Sequence, residues 1–151
     1  MNECALRPAS AADCRFVHAI HDQPSVRARS ISQEQIPYAD HETWYAARLD
    51  DPCYAIFVAE NAGEAVGVVR LAEGRDETEI SIALDADATG KGLGRVLIRL
   101  AVEAAQGRRS PVSAYIRPDN LPSRRAFEGA GFVVESECRR NGVDLLRYLV
   151  R

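Results

Sequence analysis

The chain has 151 residues, 46% of them hydrophobic and 27% charged, a length that suits one compact domain spanning 1–151. Nineteen Lys and Arg against twenty-two Asp and Glu leave a net charge of −3, so neither a basic nucleic-acid surface nor an acidic disordered tail dominates. No apolar run approaches the ~20 residues of a membrane span, and Met1–Cys4 lacks the basic and apolar segments of a leader.

A short strand at Ala5–Arg7 stops at Pro8, and Ser10-x-x-Asp13 is a capping box opening a helix whose Phe16, Val17 and Ile20 share one face. Gln23-Pro24 ends it, and 24–39 is a long loop with room for a helical turn. Asp40 then caps a second helix through Trp44, Ala47 and Arg48, stopped by Asp51-Pro52. Tyr54–Glu60 and Ala65–Leu71 read as strands joined by the turn Asn61-Ala62-Gly63-Glu64. Thr78–Leu84 alternates: Ile80, Ile82 and Leu84 point one way, Glu79, Ser81 and Ala83 the other. Leu93, Val96, Leu97, Leu100, Ala101 and Ala104 form the stripe of a buried helix that ends at Gly107. Val112–Arg117 is a strand, Asn120–Ala130 a helix halted at Gly131, and Phe132–Cys138 and Val143–Val150 are strands joined at Asn141-Gly142. The order β-α-α-β-β-β-α-β-α-β-β predicts an α+β fold, a mixed sheet with helices on both faces.

Folding a chain of this size removes roughly 68–70% of its surface from water, enough for a core without disulfides or metal. Cys4, Cys14, Cys53 and Cys138 have no C-x-x-C or metal-ligand spacing and read as small core side chains in a reducing, cytoplasmic compartment. His18 and His21, lacking a third ligand, read as a solvated helix face, so no metal is expected.

Between the alternating strand and the long helix lies Asp87-Ala88-Thr89-Gly90-Lys91-Gly92-Leu93-Gly94-Arg95. Glycines at alternate positions let backbone N–H groups approach a ligand, and a helix N-terminus adds free donors and partial positive charge, which together suit a phosphate. The segment matches neither the P-loop nor the dinucleotide fingerprint. From the glycines alone, a tight turn with a glycine N-cap explains it equally well.

This loop, followed by Asn120-x-x-Ser123-x-x-x-Phe127-x-x-x-Gly131-Phe132, resembles the GNAT superfamily of acyl-CoA-dependent N-acyltransferases. At motif level the resemblance covers about residues 78–132; the family's Q/R-x-x-G-x-G/A loop falls on Thr89–Gly94 and its N-x-x-[AS]-x-x-x-Y-x-x-x-G-F on Asn120 to Phe132. It implies a twisted, largely antiparallel mixed sheet of about seven strands, with acetyl-CoA as co-substrate. Its pyrophosphate would be held by the amides of Thr89, Gly90, Lys91, Gly92, Leu93, Gly94 and Arg95. Its pantetheine would run between Glu79–Leu84 and Val112–Arg117, with Asn120 and Ser123 beside it and the amides of Ile82, Ala83 and Leu84 at the thioester. A deprotonated amine then attacks the carbonyl directly and CoA leaves as a thiolate.

Two positions depart from the pattern. Thr89 stands where Gln or Arg is usual, and Phe127 where a tyrosine often donates a proton to the thiolate. Tyr115 occupies a position that is often a glutamate base, and reads as an acid, a substrate contact or a packing residue. Glu79 is the alternative base, acting through a water from the face it shares with Ser81, or else an exposed strand carboxylate. A thiol pKa near 8.5 lets the leaving group depart near neutrality without a dedicated acid.

The acceptor site would be built from 24–50, where Arg29, His41 and Trp44 are candidate substrate contacts. H-x-x-W in the second helix and Ser81-Ile82-Ala83-Leu84 ahead of the loop resemble GNAT enzymes that acetylate nucleotide-linked amino sugars. Aromatic faces suit a ring and arginines a diphosphate. The expected partner is a small amine, without nucleic acid or membrane, for a monomer or homodimer. Acetylation of a protein N-terminus or lysine, and an acyl-CoA-binding module without catalysis, are the alternatives. Arg124-Arg125 and Arg139-Arg140 could meet the phosphates or be surface charge, and the second pair reads as surface charge.

Overall fold

The computed structural model describes residues 3–151; Met1 and Asn2, the start of the Met1–Cys4 segment without leader character, lie outside the described residues. The strands are β1 (Cys4–Pro8), β2 (Tyr54–Asn61), β3 (Glu64–Glu73), β4 (Thr78–Leu84), β5 (Val112–Ile116), β6 (Val133–Arg140) and β7 (Val143–Val150). The helices are α1 (Cys14–Asp22), α2 (Pro24–Arg27), α3 (Tyr38–Leu49), α4 (Leu93–Ala104) and α5 (Leu121–Gly129). The strands form one seven-stranded sheet in the order β1-β2-β3-β4-β5-β7-β6. Every neighbouring pair is antiparallel except β4 and β5, as the mixed-sheet reading expects.

Both faces of the sheet are covered. On one, α4 and α5 close over Val69, Leu71, Ile80, Ala114, Ile116 and Tyr148. On the other, Val17, Ile20 and Tyr45 of α1 and α3 pack on Ile56, Val68 and Ala83. The alternation in β4 holds: Ile80 joins the first core, with Ile82 and Leu84 against it, and Ala83 the second. In α4 the buried side chains are Leu93, Leu97, Ile98 and Ala101. Ile98 lies outside the expected stripe, because a helix laid on a sheet buries a wide arc. Fully burying Leu97 or Ile98 is worth about 1.5–3 kcal/mol each.

Several local expectations shift. The long loop does contain a helical turn, α2. Asp40 does not cap α3: the extended Pro37 (φ −56°, ψ 142°) is the N-cap, its carbonyl accepts from Asp40 N, and Asp40 sits in the first turn, where its charge suits the helix dipole. Phe132 precedes β6, buried edge-on against Phe127 with ring centroids 5.0 Å apart. The Asn141-Gly142 hairpin forms as read, both residues having positive φ. Cys53 is exposed rather than packed, and all four cysteines are free thiols.

The parallel pair is short. β4 and β5 are paired only at Thr78↔Val112 and Glu79↔Ser113. Their starts are pinned by Thr78 N donating to Pro111 O at 3.0 Å and Thr78 Oγ1 donating to Arg109 O at 2.6 Å. Beyond that point each strand follows its outer neighbour. β4 stays on β3 as far as Gly67↔Leu84, and β5 stays on β7 from Val112↔Val150 to Ile116↔Leu146. The facing edges of β4 and β5 thus open into a V. Gly67 permits the tight β3–β4 approach, since a Cβ there would lie 2.5 Å from Ala83 O.

Candidate active site

α4 follows the C-terminal end of β4 and α5 that of β5, so two helix N-termini stand at the mouth of the V. The turn into α4 is held from within: Asp85 accepts from Asp87 N at 2.9 Å and Thr89 Oγ1 donates to Ala86 O at 2.8 Å. Gly90 and Gly92 then take φ of +78° and +74°, a region unfavourable for other side chains. Gly92 is the N-cap of α4. Among the described residues the amides of Gly90, Lys91 and Gly92 have no backbone acceptor, and the first N–H groups of α4 have none by construction. Thr89, Lys91 and Arg95 are exposed, Leu93 is buried as the loop's anchor, and Gly94 is half-buried. The Arg95 guanidinium lies over Gly129 of α5, where any side chain would collide with it. Asn120 caps α5, accepting from Ser123 N at 3.3 Å. Ile82, Ala83 and Leu84 occupy the open edge of β4. The expected cofactor residues are therefore brought together around one opening.

The other expected side chains lie on the α1/α3 face of the sheet. Glu79 is clamped by Arg140, with N···O distances of 3.3–3.4 Å, and the Arg140 guanidinium lies 4.1 Å from the centroid of the Tyr115 ring. Arg140 is thus a site neighbour rather than free surface charge, whereas Arg139 does pair at the surface with Asp144. Tyr115 donates to Glu77 at 2.8 Å and accepts from Arg147 Nε at 3.1 Å. Arg147 also bridges Glu77 at 2.5 Å and Glu135 at 2.9 Å, and Ser113 Oγ donates to Glu77. Burial pushes the Glu77 carboxyl up, but the hydrogen bonds from Ser113, Arg147 and Tyr115 outweigh it and hold it below the usual range. Burial, then the bond to Glu77, pushes the Tyr115 phenol up, so its one proton is committed to Glu77 at neutral pH. Glu77 and Arg147 escaped the sequence reading, and Arg140 was read as surface charge. Their signal is cross-strand register, Tyr115↔Arg147, which requires knowing that β7 inserts beside β5.

The segment before α3 is tied across the V. Arg117, at the end of β5, donates from Nε to Ser30 O at 2.7 Å and from Nη2 to Ile31 O at 2.8 Å. Gln23 Oε1 accepts from Ala86 N at 2.9 Å, joining the end of α1 to the turn before α4. Arg29 is exposed on this loop. His41 is not: it is 6% exposed, with Nε2 3.2 Å from Cys14 O and its ring stacked on Tyr45, inside the α1–α3 contact. His18 and His21 are half-buried rather than fully solvated. His18 Nε2 lies 2.8 Å from Ile36 O and His21 Nδ1 2.9 Å from Val17 O. Trp44 lies edge-on to Tyr54 at 6.1 Å, with Arg48 and Arg70 guanidinium groups 5.9 and 5.5 Å from its centroid. Among the described residues no cluster of His, Cys, Asp and Glu is arranged to hold a metal, and no helix is long and apolar enough to cross a membrane.

An opened parallel strand pair with a free-amide glycine loop at its mouth is what the motif resemblance requires. The sequence profile of the acetyltransferase (GNAT) domain matches residues 4–133. The chain belongs to the GNAT acetyltransferase family. Membership makes it an acyl-CoA-dependent N-acyltransferase with acetyl-CoA as co-substrate. It is 29% identical to the L-amino acid N-acyltransferase MnaT of Escherichia coli (strain K12), over 96% of this chain and 88% of that one. To the spermidine N(1)-acetyltransferase of the same strain it is 26% identical, over 87% and 74%. The crystal structure of spermidine N-acetyltransferase from Vibrio cholerae in complex with CoA and spermine superposes with a TM-score of 0.87 at 22% identity, covering 98% of this chain and 95% of the other; that likeness concerns the fold.

Proposed function

We propose that this GNAT enzyme acetylates the primary amine of a small molecule by direct attack on the thioester. The observation that carries the reading is the separation of β4 from β5 after Glu79↔Ser113, which leaves backbone donors on the open edge of β4 in line with the unpaired amides of Gly90–Gly92. In this reading the β4 amides near Ile82–Leu84 face the thioester oxygen as it gains charge; one such donor is worth roughly 2.7–4 kcal/mol where it has been removed. Glu79 collects the amine's proton through a water, with Arg140 fixing its carboxylate. No side chain is dedicated to protonating the thiolate: Phe127 is buried against Phe132 and the Tyr115 proton is held by Glu77.

The relatives named above act on amino acids and on spermidine, which supports a small-molecule acceptor. A nucleotide-linked amino sugar is the second reading, supported by the arginines stacked around Trp44. Acetyl-CoA is expected to raise the melting temperature, and Gly92→Val to remove the shift, because a β-branched residue is strained at positive φ. Release of free thiol against a panel of amino acids, polyamines, UDP-amino sugars and N-terminal peptides identifies the acceptor. No melting shift at millimolar acetyl-CoA, with no thiol released from any amine, would overturn the reading.

A further inference from the structure

Arg70 projects from β3 on the α1/α3 face, directly across from Ser81 of β4. Its Nε is fully buried and has no hydrogen-bond partner among the described residues, and none of the ion pairs among them includes it. A buried guanidinium N–H without an acceptor is a costly arrangement, tolerated where something supplies the missing oxygen. No oxygen of the described residues accepts from its Nε, although Tyr54 is near enough to be felt electrostatically. Trp44 covers one face of the group at 5.5 Å. His21 is held neutral, its pKa pushed down to about 3 by burial first and by the Arg70 charge second. Glu79 is near enough to be felt electrostatically, but its carboxylate is taken by Arg140.

Stacking on an aromatic ring uses the face of a guanidinium and leaves its in-plane N–H donors free, a fork that matches an oxyanion. The residue as a whole keeps some exposure. It also lies one strand from the open edge of β4, next to the point where β4 and β5 part. We propose that Arg70 is the anion-binding group of the acceptor site, so that the amine accepted carries an acid group close to its nitrogen. An α-amino acid has a carboxylate on the adjacent carbon, and an amino-sugar phosphate offers the same oxyanion chemistry. A polyamine brings only positive charge toward Arg70, Arg48 and Arg140. This inference names the substrate class of the site described above and rests on that reading for where the acceptor enters.

The test uses matched acceptors: L-methionine against L-methioninamide, L-phenylalanine against its amide, glucosamine 6-phosphate against glucosamine, and spermidine as the cation. Thiol release measures transfer, and melting shifts in CoA-saturated protein measure acceptor binding without turnover. The acid-bearing member of at least one pair is expected to have the lower KM and the larger shift. Arg70→Gln is expected to raise that KM by about thirtyfold or more while the shift caused by acetyl-CoA alone is kept. Arg70→Lys, which keeps the charge but loses the fork, recovers part of the loss. The pair that responds distinguishes a carboxylate from a phosphate. Equal behaviour within every pair, or an Arg70→Gln protein with unchanged KM for acids, overturns the proposal even if transfer is seen. Acid-selective melting shifts that Arg70→Gln removes, with no thiol released, uphold the anion site and count against the transfer reading.

Discussion

At the scale of the residue, the catalytic question turns on which groups still have a proton to give or a lone pair to take one. Tyr115 has spent its proton on Glu77, and Phe127 has none. Glu79 keeps a carboxylate on the α1/α3 face of the sheet, although Arg140 holds it in place. The side chain was identifiable from the alternation of Thr78–Leu84, which puts it on the face of Ser81. Its partner was not, since Arg140 comes from a hairpin 61 residues away. Glu79→Gln is expected to lower the rate most at acidic pH, where the acceptor amine is protonated and needs a base. General-base assistance is typically worth 10²–10⁴-fold. A pH–rate profile of kcat/KM that keeps its shape in the variant would remove Glu79 from the mechanism.

At the scale of the element, the V between β4 and β5 is a consequence of divided loyalties. Each strand has a full antiparallel partner on its outer side, so the inner parallel pairing ends after its first registers. The strands, the glycine turn and α4 follow from local patterns. The divergence follows from which strand lies beside which. The loop before α3, the proposed acceptor loop, is set in the same way, by the two carbonyl contacts of Arg117. A hydrogen bond to a charged group contributes ~1.5–3 kcal/mol. Arg117→Ala is therefore expected to free residues 28–37 and raise the acceptor KM by about tenfold or more. The melting shift caused by acetyl-CoA changes little, because the glycine loop is built separately. Equal loss of acceptor and cofactor binding would mean that Arg117 supports the whole fold and not the loop.

At the scale of the molecule, two helical layers clamp one sheet, and the α1/α3 layer carries three histidines, His41 buried and His18 and His21 half-buried. His21 is neutral in the folded protein, with a pKa of about 3 against 6.5 when unperturbed, owing first to burial and then to Arg70. A depressed folded-state pKa means that the unfolded chain binds the proton first as the medium is acidified, so stability falls with pH. The contribution is whole above 6.5 and is lost progressively as pH falls toward 3. Urea unfolding between pH 7 and pH 4 is expected to show a loss on the order of 2 kcal/mol that His21→Gln largely removes. A variant with the same pH dependence as the parent would place the titrating group elsewhere.

The sequence by itself determined the elements, the two-faced sheet and the glycine turn before α4, because these depend on periodicity, glycine φ and spacing within short windows. It also resolved a faint asymmetry, with net charge −4 over residues 1–75 (7 basic, 11 acidic) and +1 over 76–151 (12 basic, 11 acidic). Only the tertiary structure decided which side chains meet. β7 inserts between β5 and β6, bringing Arg147 to Glu77, while the same hairpin carries Arg140 to Glu79; α3 folds His41 inward and leaves Arg70 beside Trp44 without an anion. Ion pairs and stacking contacts join residues distant in sequence, and their partners are chosen by strand order, which local pattern does not encode.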